Sequence, residues 1–314
     1  MRLAVTDRCN LRCAYCMPEE GLQWLSRKEL MSYEELLQLC TLLASMGIGK
    51  VRITGGEPFV RKNMMSFLHH LSIIKGINEL TITTNGVLTA PLVPELKKIG
   101  IRSVNLSLDT LDRERFFTIT RRDELPQVLA TLEQLLKYGI EVKINAVVMA
   151  GKNEDDIIEL ARLTKELPVQ VRFIEEMPFN GNGKNSLLYW DHVRIRQRLE
   201  DAFPSLQKIP DKAFATSSNY TVDKHRGQVG IIAAYTRSFC GSCNRLRIMP
   251  EGGLKTCLYG DPVLNIKDMM RMGADEEKLR EALLQALSTR AKDGWEAEQK
   301  STAHLFSSMA TIGG

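Results

Sequence analysis

Two groups of three cysteines are the residues of this chain best suited to chemistry. Cys9, Cys13 and Cys16 have C-x3-C-x2-C spacing and follow a short apolar run. Three thiolates so close together can converge on one metal centre. A cuboidal 4Fe–4S cluster normally takes four cysteines, one per iron, so three leave one iron free to bind a small molecule. Structural zinc usually has four closed ligands, and a disulfide is the other alternative. The spacing favours an iron–sulfur cluster with an open position.

The second group, Cys240, Cys243 and Cys257, has C-x2-C-x13-C spacing. It also lacks a fourth cysteine or histidine close in sequence, which favours another open metal site. Zinc competes more strongly here, because C-x2-C is a common zinc knuckle. The seventh cysteine, Cys40, falls within an apolar helical pattern and is expected to be a core thiol.

Basic residues interrupt otherwise apolar predicted strands. If their side chains face inward, as alternation suggests, they form a cationic cavity suited to an anionic ligand such as a phosphate. Internal ion pairs are the alternative, since a buried charge must be compensated. These residues are Arg2, Arg52, Lys143 and Arg172. Arg245 and Arg247 follow Cys243 at alternate positions of a short predicted strand and so project to one side. They either meet the same ligand or pair with surface carboxylates.

The bulk composition is that of a soluble globular protein. The chain has 314 residues, of which 44% are hydrophobic and 25% charged, with a net charge of +4. This mild charge does not indicate nucleic-acid binding. No apolar run reaches the ~18 residues of a membrane span, and no signal peptide is evident. We therefore expect a cytoplasmic protein whose cysteines bind metal rather than form disulfides.

Short β-rich runs alternate with helical patterns through the first 173 residues, which predicts about six βα units around a parallel sheet. A doubly wound sheet and a barrel share this pattern. The predicted strands are residues 2–6, 51–54, 80–84, 103–108, 142–148 and 169–173. The predicted helices are residues 32–46, 63–75, 92–99, 125–138 and 154–167.

The first cysteine group, with Tyr15 before its last member, resembles the signature of the radical S-adenosylmethionine (SAM) enzymes. The resemblance implies that the open iron chelates SAM and that SAM is cleaved to a 5′-deoxyadenosyl radical. It also implies an α/β fold, an open partial (β/α)6 TIM-like barrel, with a C-terminal extension carrying the second Fe–S cluster. We place the partial barrel at residues 1–178 and the extension at 179–314.

The same resemblance assigns cofactor contacts at the carboxyl ends of the strands, where barrel chemistry collects. Tyr15 would lie against the adenine, Gly56 of Gly-Gly-Glu-Pro would help to hold the amino group, and Ser107 and Met177 would contact SAM. Thr83 would contact the substrate. The alternative for Tyr15 is a packed aromatic ring, and that for Met177 is a core methionine. Thr83 and Ser107 could instead cap the turns that follow their strands.

The order of motifs over essentially the whole chain resembles the GTP-cyclising radical SAM enzymes of molybdenum cofactor biosynthesis. This implies two 4Fe–4S clusters, SAM, GTP as substrate, an electron donor, and a downstream synthase of cyclic pyranopterin monophosphate; relatives are often homodimers. The resemblance implies that the guanine edge of GTP meets the second cluster and that Arg245 and Arg247 lie between the nucleotide and that cluster. The triphosphate would be anchored by Arg2, Arg52, Lys143 and Arg172. Gly313 and Gly314 would enter the active site as a catalytic tail, although a frayed terminus is the usual alternative.

Two other functions remain open on the sequence. One is a radical SAM maturase that modifies peptides, although such enzymes usually carry more C-terminal cysteines. The other is a non-catalytic nucleotide-binding module stabilised by zinc. Family members usually have a longer segment before the position of Arg2.

Overall fold

The computed structural model describes residues 1–179, 189–211, 213–301 and 308–313. One sheet runs through the described residues in the strand order β12-β11-β10-β1-β2-β3-β4-β5-β6-β9-β8-β7. The eight strands from β10 to β9 in that order are parallel, and an antiparallel pair flanks each side. The strands are β1 (Arg2–Ala4), β2 (Lys50–Thr54), β3 (Glu79–Thr84), β4 (Ser103–Ser107), β5 (Glu141–Val148), β6 (Gln170–Glu175), β7 (Gln207–Lys208), β8 (Ser218–Thr221), β9 (Gln228–Ile232), β10 (Arg247–Ile248), β11 (Gly253–Lys255) and β12 (Leu264–Asn265).

Helices connect the first six strands and continue into the C-terminal region. They are α1 (Tyr33–Ser45), α2 (Met64–Ser72), α3 (Val93–Ile99), α4 (Arg113–Thr120), α5 (Leu125–Lys137), α6 (Asp156–Glu166), α7 (His192–Ala202), α8 (Ile266–Arg271), α9 (Glu276–Ser288), α10 (Gly294–Gln299) and α11 (Met309–Ile312). Single 3₁₀ turns occur at Pro58–Val60, Ala90–Leu92 and Cys240–Ser242. None of the helices in the described ranges has the length and apolar character needed to span a bilayer.

Local sequence explains where the helices begin and end. Ser32 and Glu35 form a capping box at α1, in which the Glu35 backbone NH donates to Ser32 Oγ at 3.2 Å and the Ser32 NH donates to the Glu35 carboxylate at 2.7 Å. These bonds satisfy two of the free NH groups of the first turn. Gly100 ends α3 with φ of 94°, a left-handed conformation that glycine adopts at little cost.

The parallel strands separate an apolar face from a polar face. Leu3, Ile53, Ile82 and Val104 are in register on adjacent strands and fully buried in the main core with the helices. Burial of each such side chain contributes roughly 1.5–3 kcal/mol. Because side chains alternate along a strand, the residues one position earlier face the interior of the curved sheet.

The α/β fold with six βα units predicted from the sequence is confirmed. Every predicted strand and helix through position 173 has a counterpart within a few residues, and β9 and β10 extend the parallel set. Helix α4 was not predicted. The strands on both sides of position 178 belong to one sheet, since β9 pairs with β6 and β10 pairs with β1; the proposed division at 178/179 stays a prediction.

Candidate active site

The first cysteine loop follows β1 and is held against the end of α4. The backbone NH of Arg12 donates to the Thr120 carbonyl, and that of Ala14 donates to the Ile119 carbonyl, each at 2.9 Å. The thiols of Cys9, Cys13 and Cys16 are free. Burial raises the pKa of Cys9 to about 11 and that of Cys16 to about 12. These buried thiols therefore favour the neutral form unless a cationic centre takes up the thiolate charge.

The glycine pair after β2 lets two backbone segments approach closely. Gly56 NH donates to the Thr6 carbonyl, and Glu57 NH donates to the Arg8 carbonyl, both at 2.8 Å. A Cβ added to Gly56 would lie 2.3 Å from the Arg8 carbonyl oxygen, and one added to Gly55 would lie 2.5 Å from that of Thr6. The Gly-Gly sequence therefore positions the cysteine loop itself, and Gly56 also lines the cavity described below.

The Glu57 carboxylate joins the ends of β2 and β3. It accepts hydrogen bonds from Thr84 Oγ1 at 2.9 Å and from the Asn85 NH at 2.7 Å. Burial raises the pKa of Glu57 to about 7. Asn85 in turn donates to Asn10 Oδ1 at 2.8 Å and approaches Cys9 Sγ at 3.6 Å. Asn85 was not among the predicted site residues, although the Thr-Thr-Asn-Gly motif at the end of β3 could have indicated it.

One large cavity at the carboxyl ends of the strands brings the predicted SAM-binding residues together. Its lining includes Tyr15, Gly56, Thr83, Ser107 and Met177. The Tyr15 hydroxyl donates to Asp109 Oδ2 at 3.0 Å, so this ring is fixed at its polar end. Burial raises the pKa of Asp109 to about 7. Asp109 was not among the predicted site residues, but its carboxylate orients Tyr15 within the cavity.

Four cations form a continuous row across four adjacent strands. In the strand register, Lys255 is opposite Arg247, Arg247 is opposite Arg2, and Arg2 is opposite Arg52. All four line the cavity. Neighbouring strands are about 4.8 Å apart, so like charges stand next to one another along the row. Burial and the neighbouring guanidiniums lower the pKa of Arg2, and the same causes lower that of Arg247 to about 9.

Two further arginines complete the cationic lining, while Lys143 lies apart. Arg172 on β6 donates to Asn105 Oδ1 and has a pKa lowered to about 9, chiefly by burial. Arg245 also lines the cavity. Lys143 lies on the face of β5 that carries Asn145, but it is not part of the cavity lining and pairs with Glu141 at 3.0 Å. Within the described residues, six basic side chains and the carboxyls of Asp109 and Glu175 line the cavity.

The two carboxyl groups can offset at most two of the six positive charges, and both are held by hydrogen bonds from other segments. Asp109 also accepts from the Val147 NH at 2.8 Å. Glu175 is fully buried and accepts from the NH groups of Tyr235 and Thr236, each at 2.8 Å, and from the His192 NH at 2.7 Å. Glu175 thus ties β6 to the start of α7 and to the segment after β9. The cavity presents its positive charge to whatever enters it.

The second cysteine group lines the same cavity as the first. All six cysteines of the two groups line it, and the thiols of Cys240, Cys243 and Cys257 are free. Arg245 Nε donates to Cys243 Sγ at 3.2 Å. Burial opposes ionisation of this thiol, but the Arg245 guanidinium, the Arg245 backbone NH and Arg290 together outweigh it, so the pKa of Cys243 is lowered.

An aromatic cage around Arg237 fixes helix α10 to the chain that leads into the second cysteine group. The Arg237 guanidinium lies between the rings of Tyr259 and Trp295, 3.6 and 3.9 Å from their centroids. It also donates to the Gly294 carbonyl at 2.9 Å and to Glu298 at 2.7 Å. Helix α10 is thereby fixed to the chain three residues before Cys240. Sequence reasoning did not identify Arg237.

The C-terminal segment enters the site between the two cysteine groups. Ser308 Oγ donates to the Cys16 carbonyl, and the Arg247 guanidinium donates to the Gly313 carbonyl. A Cβ on Gly313 would lie 2.7 Å from Ala4 Cβ and 2.8 Å from Thr54 Oγ1, so only a glycine fits there without movement. Gly313 is therefore next to the predicted site, whereas Gly314 lies outside the described residues.

The donor atoms of the cavity fit the groups implied by the sequence. Each cysteine group offers three free sulfurs, which suits a cuboidal cluster with one open iron. Among the described residues no three His, Cys, Asp or Glu side chains converge on a single ion. A cuboidal cluster does not require such a convergence, because each cysteine binds a different iron. Three buried polar atoms that have no partner in the described part of the chain also line the cavity, namely Thr54 Oγ1, Asn145 Oδ1 and Arg172 Nε. Such atoms are suited to a polar ligand such as SAM or a nucleotide.

Comparison with protein families agrees with this site. The radical SAM superfamily matches residues 3–164, and the family described as Molybdenum Cofactor Synthesis C matches residues 169–295. Solved structures with the same fold include SuiB of Streptococcus suis, with a TM-score of 0.63 and 17% identity over 82% of this chain and 60% of that one. Another is anSMEcpe with bound AdoMet, with a TM-score of 0.62 and 17% identity over 96% of this chain and 83% of that one. The fold and the site thus define a radical SAM enzyme.

Curated relatives narrow the class. GTP 3′,8-cyclase, mitochondrial, of Arabidopsis thaliana is 41% identical over 90% of this chain and 73% of its own length. GTP 3′,8-cyclase of Moorella thermoacetica is 38% identical over 94% of this chain and 93% of its own length. Molybdenum cofactor biosynthesis protein 1 of Homo sapiens is 39% identical over 89% of this chain, which spans 44% of the human protein. The chain belongs to the GTP 3′,8-cyclase family.

Proposed function

We propose that this enzyme converts GTP to (8S)-3′,8-cyclo-7,8-dihydroguanosine 5′-triphosphate, the first step of molybdenum cofactor biosynthesis. The observation that carries the proposal is the shared cavity, which is lined by both cysteine groups and by the row of cations. A radical SAM enzyme that acted on a neutral substrate would have no use for so many uncompensated positive charges. A nucleoside triphosphate supplies the matching negative charge.

In this proposal, Cys9, Cys13 and Cys16 hold the first 4Fe–4S cluster, and Cys240, Cys243 and Cys257 hold the second. When bound, the clusters and SAM supply the one-electron chemistry that removes a hydrogen atom from the substrate. Tyr15, Gly56, Ser107 and Met177 would bind SAM. The family's cofactors make SAM and Fe–S clusters part of this enzyme; the individual contacts are proposals.

The protein's own side chains position the nucleotide. Arg2, Arg52, Arg172 and Arg247 would hold the phosphates through charge-assisted hydrogen bonds, which are about twice as strong as neutral ones. Arg245 would lie between the nucleotide and the second cluster, and Thr83 would contact the nucleotide from the end of β3. We assign Lys143 a weaker role than the arginines, because its ammonium already pairs with Glu141. Gly313 and Gly314 would form the catalytic tail.

A cavity that excludes water would protect the reacting carbon centres from side reactions. We assign the C-terminal tail a part in excluding water, and two features support this role. Met309 and Ala310 line the cavity, and Ser308 ties the start of α11 to the first cysteine loop.

The downstream synthase, the electron donor, the homodimer and the cytoplasmic location remain predictions from the sequence.

The test begins with iron and sulfide analysis of anaerobically reconstituted protein, with Cys240→Ser as the variant. Two cuboidal clusters require about eight irons per chain, falling to about four in the variant. About four irons in both proteins would contradict a second cluster and make the second cysteine group a zinc site or a structural one. Consumption of GTP with SAM and a reductant, and formation of deoxyadenosine, would then be measured. Deoxyadenosine without consumption of GTP would leave a radical SAM enzyme and contradict the cyclase assignment.

A further inference from the structure

Lys255 is a buried cation that the sequence reasoning did not assign to the site. Only 3% of its surface is exposed, it lies at the end of β11, and it lines the cavity. The chain contains another buried lysine, Lys267, which shows what a structural lysine looks like. Lys267 Nζ donates to the Glu29 carbonyl at 2.8 Å and lies 3.6 Å from Asp268. Lys255 makes no such bond within the described residues.

The strand register decides which groups Lys255 faces. It is opposite Arg247 on β10, and it is therefore the outer member of the row that continues through Arg2 to Arg52. Like charges directly opposite one another on a sheet are unfavourable. Burying them together is costly. Asp261, Cys257 and Glu251 act on Lys255 with the opposite sign, but the row as a whole keeps a surplus of positive charge that an anionic ligand would offset.

A neutral ligand group does not remove this repulsion. A guanine base is uncharged near neutral pH, so a carbonyl of the base would accept a hydrogen bond without compensating the row. A phosphate both compensates the positive charge of the row and accepts a hydrogen bond, since it is negatively charged and each of its oxygens can accept from an ammonium. The charge pattern therefore distinguishes which part of a nucleotide suits Lys255.

We propose that Lys255 is a further substrate-binding residue, which donates to a phosphate oxygen of the nucleotide and extends the phosphate-binding row from three strands to four. The inference deepens the proposed function and depends on a nucleotide as substrate. It makes the β10–β11 hairpin part of the substrate site as well as the support of the second cysteine group. Lys255 binds the ground state of the substrate and is not assigned a step in the chemistry.

The test compares ligands on the reconstituted full chain under anaerobic conditions. Dissociation constants of GTP, guanosine and inorganic tripolyphosphate are measured for the wild type and for Lys255→Met, which keeps an apolar stem of similar length. We expect the affinity for GTP and for tripolyphosphate to fall about tenfold or more, as for the loss of one charge-assisted hydrogen bond. The affinity for guanosine should change less than twofold.

Two variants serve as controls. Lys255→Arg keeps the charge and should restore most of the affinity for GTP. Lys267→Met removes a buried lysine outside the cavity and should leave the affinity for all three ligands unchanged. Iron content is measured in each protein, and Lys255→Gln replaces Lys255→Met if the methionine variant loses iron. Loss of iron in both neutral variants would make Lys255 a structural residue and overturn the proposal.

The remaining outcomes separate this proposal from the proposed function. Equal losses of affinity for GTP and guanosine, or no loss for GTP, would overturn the role of Lys255 in phosphate binding. If the wild type bound tripolyphosphate through Lys255 but did not bind GTP, the phosphate site would stand and the GTP assignment would fail.

Discussion

Arg2 and Arg52 are directly opposite one another on adjacent parallel strands, with both side chains directed into the same cavity. Arg52 donates a long hydrogen bond to Thr81 Oγ1 at 3.5 Å and has no ion pair with a carboxylate in the described residues. Lys50, two positions earlier on the same strand, differs from Arg52 because its ammonium pairs with Glu79 at the surface. The inner positions of β1 and β2 thus hold repelling charges in place for a ligand. This arrangement reduces the stability of the protein without its substrate, which is common at functional sites.

Replacing Arg52 should therefore have opposite effects on stability and binding. Burial and the nearby Arg245 guanidinium lower the pKa of Arg52, which shows how unfavourable its charge is there. We expect Arg52→Met to raise the free energy of unfolding of the substrate-free protein by on the order of 1 kcal/mol. We also expect it to reduce the increase in melting temperature that GTP produces in the wild type, since a tenfold loss of affinity lowers the stabilisation by saturating GTP by about 1.4 kcal/mol.

Lys50→Met is the matched control for Arg52→Met. It removes a charge from the same strand, but its salt bridge is exposed and contributes roughly 0–1 kcal/mol. Thermal unfolding with and without GTP should show a slightly less stable protein that GTP still stabilises. A loss of stability in Arg52→Met as large as that from a core substitution would show that Arg52 is a structural ion rather than a binding residue.

A second prediction concerns the close approach of Gly56 to the first cysteine loop. A methyl group on Gly56 would lie 2.3 Å from the Arg8 carbonyl, which is backbone and has little room to move. Gly56→Ala should therefore displace the loop and reduce assembly of the first cluster, so that iron falls from about eight to about four per chain. Iron analysis of the reconstituted protein measures the effect.

Gly241→Ala is the control for Gly56→Ala. Gly241 lies within the second cysteine motif, but a Cβ added there meets nothing within 4 Å. This variant should keep full iron content. If both alanine variants lost iron equally, the packing of Gly56 against the loop would not be the cause.

The sequence predicts those parts of the fold that have a long or repeated pattern, and it misses those that do not. The Val- and Ile-rich runs of the first six strands and the capping box of α1 are such patterns. Helix α4 buries only Phe116, Ile119 and Thr120, so its short sequence shows little periodicity. Strand β11 has three residues, too few for alternation to indicate that Lys255 faces the cavity.

The site was predictable where residues are close in sequence and less so where the tertiary structure brings them together. Alternation correctly assigns Lys143 to the inner face of β5, but it does not give the depth of the cavity, which Lys143 does not line. The partners of Asp109 and Glu175 depend on several separate segments. For the same reason, no sequence pattern indicated that Arg237 lies between Tyr259 and Trp295.

A third prediction follows from the buried carboxyl of Glu57. Its pKa is raised from 4.5 to about 7, chiefly by burial. Between these two values the folded chain keeps a proton that the unfolded chain has released, so stability falls as pH rises through this window. The fall attributable to Glu57 is on the order of 3 kcal/mol, and above about pH 7 both states are ionised and the penalty is constant.

Urea unfolding between pH 4.5 and 8 tests this effect, with Glu57→Gln as the variant. The neutral glutamine should remove this part of the pH dependence. Asp123→Asn should leave it unchanged, because the hydrogen bond from Arg113 lowers the pKa of Asp123 and keeps this exposed carboxyl ionised throughout the window. The same pH slope in the wild type and Glu57→Gln would assign the proton to another group.

The last prediction concerns the aromatic cage behind the second cysteine group. The Arg237 side chain is 1% exposed, so removing the guanidinium takes the cation from two rings and one ion-pair partner from Glu298. We expect Arg237→Met to lower the free energy of unfolding by about 2 kcal/mol or more. Because the cage fixes α10 against the chain next to Cys240, the variant should also lose iron from the second cluster while keeping the first.

Arg194→Met is the control for the cage, since Arg194 also stacks on an aromatic ring. Its guanidinium lies 4.6 Å from the Tyr189 centroid on an exposed part of α7, where such a contact contributes roughly 0.5–1 kcal/mol. Chemical unfolding and iron analysis should show a small loss of stability and full iron content in this variant. If Arg237→Met were destabilised but kept about eight irons per chain, the cage would stabilise the fold without positioning the second cluster, because the cysteine loop would then hold its geometry independently of α10.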